Sequence, residues 1–200
     1  MRVRNLKLWF YILAVSFVFS NQAMAIIVKS IGLDQMIEKA ESVYIADVLY
    51  VSELKKDANG LEYNLIRIKV VKGYKKAIKN QSLEFKQVSQ QQSESWKHLK
   101  LLPIPTYKTG QRVLFFMSKK SNKGYQMPIG FDQGKLLLNE NPTKNINDST
   151  IVLKENHKNF FKIKSKKIPE ESIVKVQAIE NKHQVFTVKD FENLFKDINP

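Results

Sequence analysis

The chain has 200 residues, with 33 lysines and arginines against 19 aspartates and glutamates, a formal net charge of +14 at pH 7. It contains no cysteine, which excludes disulfide scaffolds and thiol chemistry and leaves packing and hydrogen bonds to stabilise any fold. A charge of this sign and size draws a protein toward anionic surfaces.

First in chain order come the three positive charges of MRVRNLK, the apolar run LWFYILAVSFVF, and NQAMA with small residues at Ala23 and Ala25. That layout predicts a secretory signal peptide over residues 1–25, cleaved after Ala25. The apolar run is well short of the about 20 residues that a spanning helix needs. The expected mature protein therefore begins at Ile26, is periplasmic or secreted, and has no transmembrane segment. It would carry 30 basic against 19 acidic residues, enough chain for one domain with a hydrophobic core.

The elements that follow are mostly strands. In GLDQMIEKAES, Leu33, Met36, Ile37 and Ala40 recur at helical spacing and predict about two turns of helix. VYIADVLYV, residues 43–51, is β-branched and aromatic and predicts a strand. Asn59-Gly60 marks a turn. LEYNLIRIKVV then alternates Leu61, Tyr63 and Leu65 and, after a slip, Ile66, Ile68 and Val70, which predicts a bulge at the slip. SLEFKQV is the next strand. RVLFFMS, 112–118, is apolar enough to be buried on both faces, and Asn122-Lys123-Gly124 turns it back into YQM.

The stretch GYQMPIGFDQGKLLL, 124–138, has the glycines and lysine of a phosphate loop but not its spacing. Three residues separate Gly130 from Gly134, Leu136 stands where a metal-binding hydroxyl belongs, and an apolar strand follows instead of a helix. Gly130 and Gly134, together with Gly73, are expected to be structural glycines at tight or positive-φ positions. Asp132 reads as a turn residue, and Lys135, on the same loop, as a residue whose loss costs little.

Ser89 to Thr109 is long for a loop without regular structure, and such loops are often functional. Trp96, Lys97, His98, Lys100 and Tyr107, set among Pro103 and Pro105, are the candidate ligand- or partner-binding residues. After Asn139, NENPTKNINDST reads as a linker. The expected organisation is therefore a domain over 26–140 and a C-terminal extension over 141–200 with short strands. In that extension Thr187 caps a closing helix, with Asp190 three residues later and Phe191, Leu194, Phe195 and Ile198 as its apolar stripe.

The short helix, the strand opening VYIADVLYV, the VVKG at 70–73, GQRVLFFMS at 110–118, GFDQGKLLL at 130–138 and the closing VKDFENLFKDI together resemble a group of exported bacterial proteins of uncharacterised function. The resemblance implies a mainly β (α+β) fold: a small OB-like β-barrel, more distantly netrin-like, with a short N-terminal helix and a C-terminal helix. It implies no functional residues. A metalloproteinase-inhibitor role, by analogy with netrin-like modules, would need zinc chelation by the mature amino terminus, where Ile26 stands without the family's cysteine.

Catalytic chemistry finds little support. His98, His157 and His183 lie far apart, and neither HExxH nor Gly-x-Ser-x-Gly occurs. No catalytic residue, metal or cofactor is expected. The basic charge is 29 lysines against four arginines, which attracts anions without the bidentate fork that reads phosphates and base edges. Its densest runs are KGYKKAIK, 72–79, and HKNFFKIKSKK, 157–167. The expected function is binding to a protein or to an anionic glycan or envelope surface, not to nucleic acid; the rival from another class is a periplasmic hydrolase.

Overall fold

The computed structural model describes residues 30–91, 102–139, 150–151, 170–171 and 186–199. The signal segment, Trp96, Lys97, His98 and Lys100, all three histidines and the basic run 157–167 lie outside the described residues. Among those described, helix α1 (Leu33–Lys39) precedes strands β1 (Ser42–Val51), β2 (Lys55–Lys56), β3 (Glu62–Lys75), β4 (Ser82–Val88), β5 (Arg112–Met117) and β6 (Lys135–Asn139). The short strands β7 (Thr150–Ile151) and β8 (Phe186–Thr187) pair with each other, and helix α2 (Val188–Ile198) follows. The protein is thus α+β, built on a mainly antiparallel sheet. No described helix is long and apolar enough to cross a membrane.

In the main sheet, β3 pairs with β1 and β2 along one edge and with β4 along the other, β1 pairs with β5, and β5 with β6. The strand ladders leave this sheet open, not closed into a barrel. The segment between β5 and β6 runs back across the gap. Lys86 N–H donates to Gly124 O at 2.9 Å and Gln126 N–H to Lys86 O at 3.1 Å, which ties the segment to β4. Ser118 N–H donates to Met127 O at 2.9 Å and Ile129 N–H to Phe116 O at 2.7 Å, which ties it to the end of β5.

Alternation along the strands sends two apolar sets to two cores. Tyr44, Ala46 and Val48 of β1 join Ile66, Ile68, Val70, Phe85, Val113, Phe115 and Met117 on the inner face. Val43 and Ile45 join Leu114, Phe116, Leu136 and Leu138 on the opposite face, beneath both helices. All six residues of β5 are consequently buried: the apolar run 113–117 is covered on both faces, and Arg112 is held by Asp47.

The bulge expected at 65–66 is not there: β3 pairs with β4 without interruption from Tyr63 to Lys69. Leu65 and Ile66 simply face opposite sides, both partly or fully covered. The register shifts fall instead between β1 and β3, where Val71, Tyr74 and Leu49 are the unpaired residues. Val71 follows inward-facing Val70 and points outward, and the bulge there reverses the alternation so that Tyr74 does too; both pack against the helix-covered core.

The closing helix is fixed to that core. Phe191 lies edge-on to Tyr74 at 5.0 Å and to Phe116 at 5.8 Å between ring centres. Glu192 accepts hydrogen bonds from Lys72 Nζ and, at 3.0 Å, from Tyr74 Oη. Burial, and then the Glu192 charge and hydrogen bond, hold the Tyr74 phenol well above its ordinary pKa. At the start of the helix Thr187 and Asp190 form the capping box that their spacing predicts, with Asp190 N–H donating to Thr187 Oγ1 at 3.2 Å and Thr187 N–H to Asp190 Oδ2 at 3.0 Å. Thr187→Ala should therefore lower stability by about 1 kcal/mol, read as a shift of the denaturation midpoint; an unchanged midpoint would mean the box is not formed in solution.

Candidate functional site

The helices cover only part of the outer face. Cross-strand register places Lys55 beside Tyr63, Lys86 beside Leu65, and Tyr50 and Glu84 on either side of Arg67. Period-2 alternation turns these side chains away from the inner core. Tyr50 is 44 % exposed, and Arg67, Lys55 and Lys69 are exposed around it.

Cations and rings interleave on this face. Lys86 Nζ lies 5.0 Å from the centre of the Tyr63 ring and 5.5 Å from that of Tyr125. The two rings meet edge-on at 5.7 Å. Arg67 sits over Tyr50 at 5.7 Å while its Nη2 bonds Glu84 Oε2 at 3.0 Å. A cation held over an aromatic face is oriented in advance, with its remaining donors still available to an anion.

Tyr125 belongs to the segment that crosses from β5 to β4, and Asp57 locks it in place. Asp57 Oδ1 accepts from the N–H groups of Asn59 at 2.9 Å and Leu61 at 3.0 Å, and its Oδ2 from Tyr125 Oη at 3.0 Å. Desolvation pushes the Asp57 pKa up, but the hydrogen bonds from Leu61, Tyr125 and Asn59 outweigh it and leave the carboxyl below its ordinary value. Tyr125 moves the other way, to about 12, through burial and then the bond to Asp57.

A carboxyl whose pKa is lower in the folded protein contributes stability above its unfolded pKa and loses it as pH falls through the folded value. Asp57→Asn should accordingly be less stable than the parent at neutral pH and converge with it below the carboxylate range. Denaturation midpoints measured across that range would show it; parallel curves would contradict the role given to Asp57.

Of the binding residues expected from sequence, only Tyr107 falls within the described residues. It is 7 % exposed, its ring packed against Phe115 at 5.7 Å and Phe85 at 6.2 Å. It faces the inner core, and its hydroxyl has no hydrogen-bond partner among the described residues. Burial holds that phenol well above its ordinary pKa.

The stretch 124–138 is a corner. Gly130 has φ +69° and Phe131 φ +60°, both left-handed, and a 3-10 turn at Phe131–Gly134 leads directly into β6. Gly73 and Gly134 are close-approach positions: a Cβ on Gly73 would lie 1.9 Å from Ala77 O, and one on Gly134 2.3 Å from Ile129 O. Asp132 N–H donates to Pro103 O at 3.0 Å. Lys135 departs from the expectation of small energetic weight. It is 8 % exposed, donates from Nζ to Thr106 O, and lies 5.1 Å from the Tyr107 ring.

The basic run 72–79 is used within the fold. Lys72 pairs with Glu192 and Lys76 with Glu41 at 2.7 Å, while Lys75 Nζ bonds the carbonyls of Ile37 and Glu38 at the end of α1. The cation–aromatic face is not legible in the sequence because its members come from four separate segments. The one local signal was Tyr63-x-x-x-Arg67 on a single face of a strand. No group of three or more metal-ligating side chains occurs among the described residues. Comparison of the chain with family models, with curated proteins and with solved structures finds no match.

Proposed function

We propose that the protein is an exported binding protein whose outer β3–β4 face takes an anionic partner, a charged glycan or the envelope surface. The observation that carries this reading is Lys86 held between the rings of Tyr63 and Tyr125, beside the Arg67–Tyr50 pair, on a face that neither helix covers. The tyrosines offer flat apolar area with little rotamer entropy to lose, the cations supply attraction, and the net positive charge of the chain raises the rate of encounter.

The signal-like N-terminus supports export, and the hydrogen bonds that the segment 124–129 makes to β4 and to the end of β5 support a barrel closed by it. On that reading the crossing segment is both a stave of the barrel and the support of Tyr125.

Alginate, a soluble polyuronate, is a suitable probe, with neutral dextran as control. Alginate should bind, dextran should not, and affinity should fall as salt rises. A Lys86→Ala, Arg67→Ala double variant should bind about tenfold more weakly or worse, which corresponds to about 1.4 kcal/mol. Unchanged affinity in a variant of unchanged stability would remove the face from the account.

A further inference from the structure

A second site differs from the basic face in its chemistry. A cavity of about 290 Å³ lies at the other side of the β3–β4 pair, with Val51, Leu54, Asn64, Ile66, Gln87 and Tyr107 among its walls. None of the described residues that line it is charged, in a chain of which 26 % of residues are Asp, Glu, Lys or Arg.

Two buried polar atoms belong to its walls and have no hydrogen-bond partner among the described residues: Gln87 Oε1 and Tyr107 Oη. Gln87 is 2 % exposed, and among the described residues its amide nitrogen reaches only Val88 O, at 3.4 Å. Both residues are held in place, Gln87 by its position in β4 and Tyr107 by its ring contacts with Phe85 and Phe115. Leaving such groups unpaired inside a protein is unfavourable, so each such atom calls for an explanation. Val51, Leu54 and Ile66 add apolar wall, and Leu54 is 41 % exposed at the rim.

We infer that this cavity binds a neutral secondary amide bearing a small apolar group. The amide N–H would donate to Gln87 Oε1, the amide C=O would accept from Tyr107 Oη, and the methyl group would rest on Val51 and Ile66. Burial keeps the Tyr107 phenol protonated and so a donor. An acetamido sugar and a capped peptide unit share this chemistry, and the cavity is large enough for one residue of either.

The test is a titration of the full chain, followed by calorimetry or by NMR, with N-acetylglucosamine, N-acetylalanine methylamide and glucose. At least one amide should bind about tenfold more tightly than glucose, since one unmatched buried hydrogen bond is worth about that factor. The tighter amide identifies the source as glycan or peptide. Gln87→Met, which keeps the volume and removes the acceptor, should abolish the preference; Leu54→Ala, at the exposed rim, should weaken binding without unfolding the protein. Binding should be insensitive to salt and to Lys86→Ala, which separates it from the basic face. Equal affinity for all three probes, or a preference that survives in both variants, would overturn the inference.

Discussion

Arg112→Ala should cost about 2–4 kcal/mol of stability, somewhat below the loss for a fully buried ion pair because the Asp47 side chain keeps 18 % of its exposure. Arg112 is 6 % exposed and grips Asp47 with two bonds, Nε to Oδ1 at 2.6 Å and Nη2 to Oδ2 at 3.0 Å. The two are cross-strand partners on β1 and β5, the central pair of the sheet, so the orphaned carboxylate would be left against the strand that carries both cores. Arg112→Lys keeps the charge but loses the fork, and should fall between parent and alanine variant. Replacing both residues, Arg112→Met with Asp47→Leu, should restore most of the loss, because no charge then remains buried and unpaired. A loss below about 1 kcal/mol for Arg112→Ala would place the pair with ordinary surface salt bridges.

Gly134→Ala should cost about 3 kcal/mol through overpacking. The added Cβ would lie 2.3 Å from Ile129 O, 2.9 Å from Ile129 N and 3.0 Å from Pro128 Cβ. Two of those atoms are backbone of the segment between β5 and β6, so no side-chain rotation relieves the clash. Gly60→Ala is the matched control. Gly60 has φ +77° with nothing within 4 Å of its Cβ position, so it should show only the left-handed backbone cost of about 1 kcal/mol. Similar denaturation midpoints for the two variants would show that the corner at 130–134 yields more readily than its contacts imply.

How much of this could be read from sequence depended on whether the information was local. The strand over 43–51, the doubly buried 112–117, the turn at Asn59-Gly60 and the Thr187–Asp190 box are each written in a few consecutive residues, and the structure has them. The position of the bulges is not. Whether Leu65 or Val71 leaves the alternation depends on which strand lies opposite, and only pairing with β1 decides it. Gly134 illustrates the same limit in another way: its glycine was legible as structural, but the cause is a neighbour's carbonyl five residues earlier and not a left-handed φ.

Lys135 and Arg112 show why charge is the hardest property to place. Both look like surface residues in a lysine-rich chain, yet each lies almost fully buried, held by a partner at a separation of 29 residues for Lys135 and 65 for Arg112. The candidate face has the same origin. Tyr50, Tyr63, Arg67, Lys86 and Tyr125 become neighbours only when β1, β3 and β4 assemble and the crossing segment closes over β4.

The measurement that bears most directly on the proposed function is an NMR titration of isotope-labelled protein with alginate fragments. The account predicts that the largest shifts fall on Tyr50, Tyr63, Arg67, Lys86 and Tyr125 and shrink as salt is added. Shifts confined to the lysines of 72–79, or spread evenly over every exposed lysine, would contradict it.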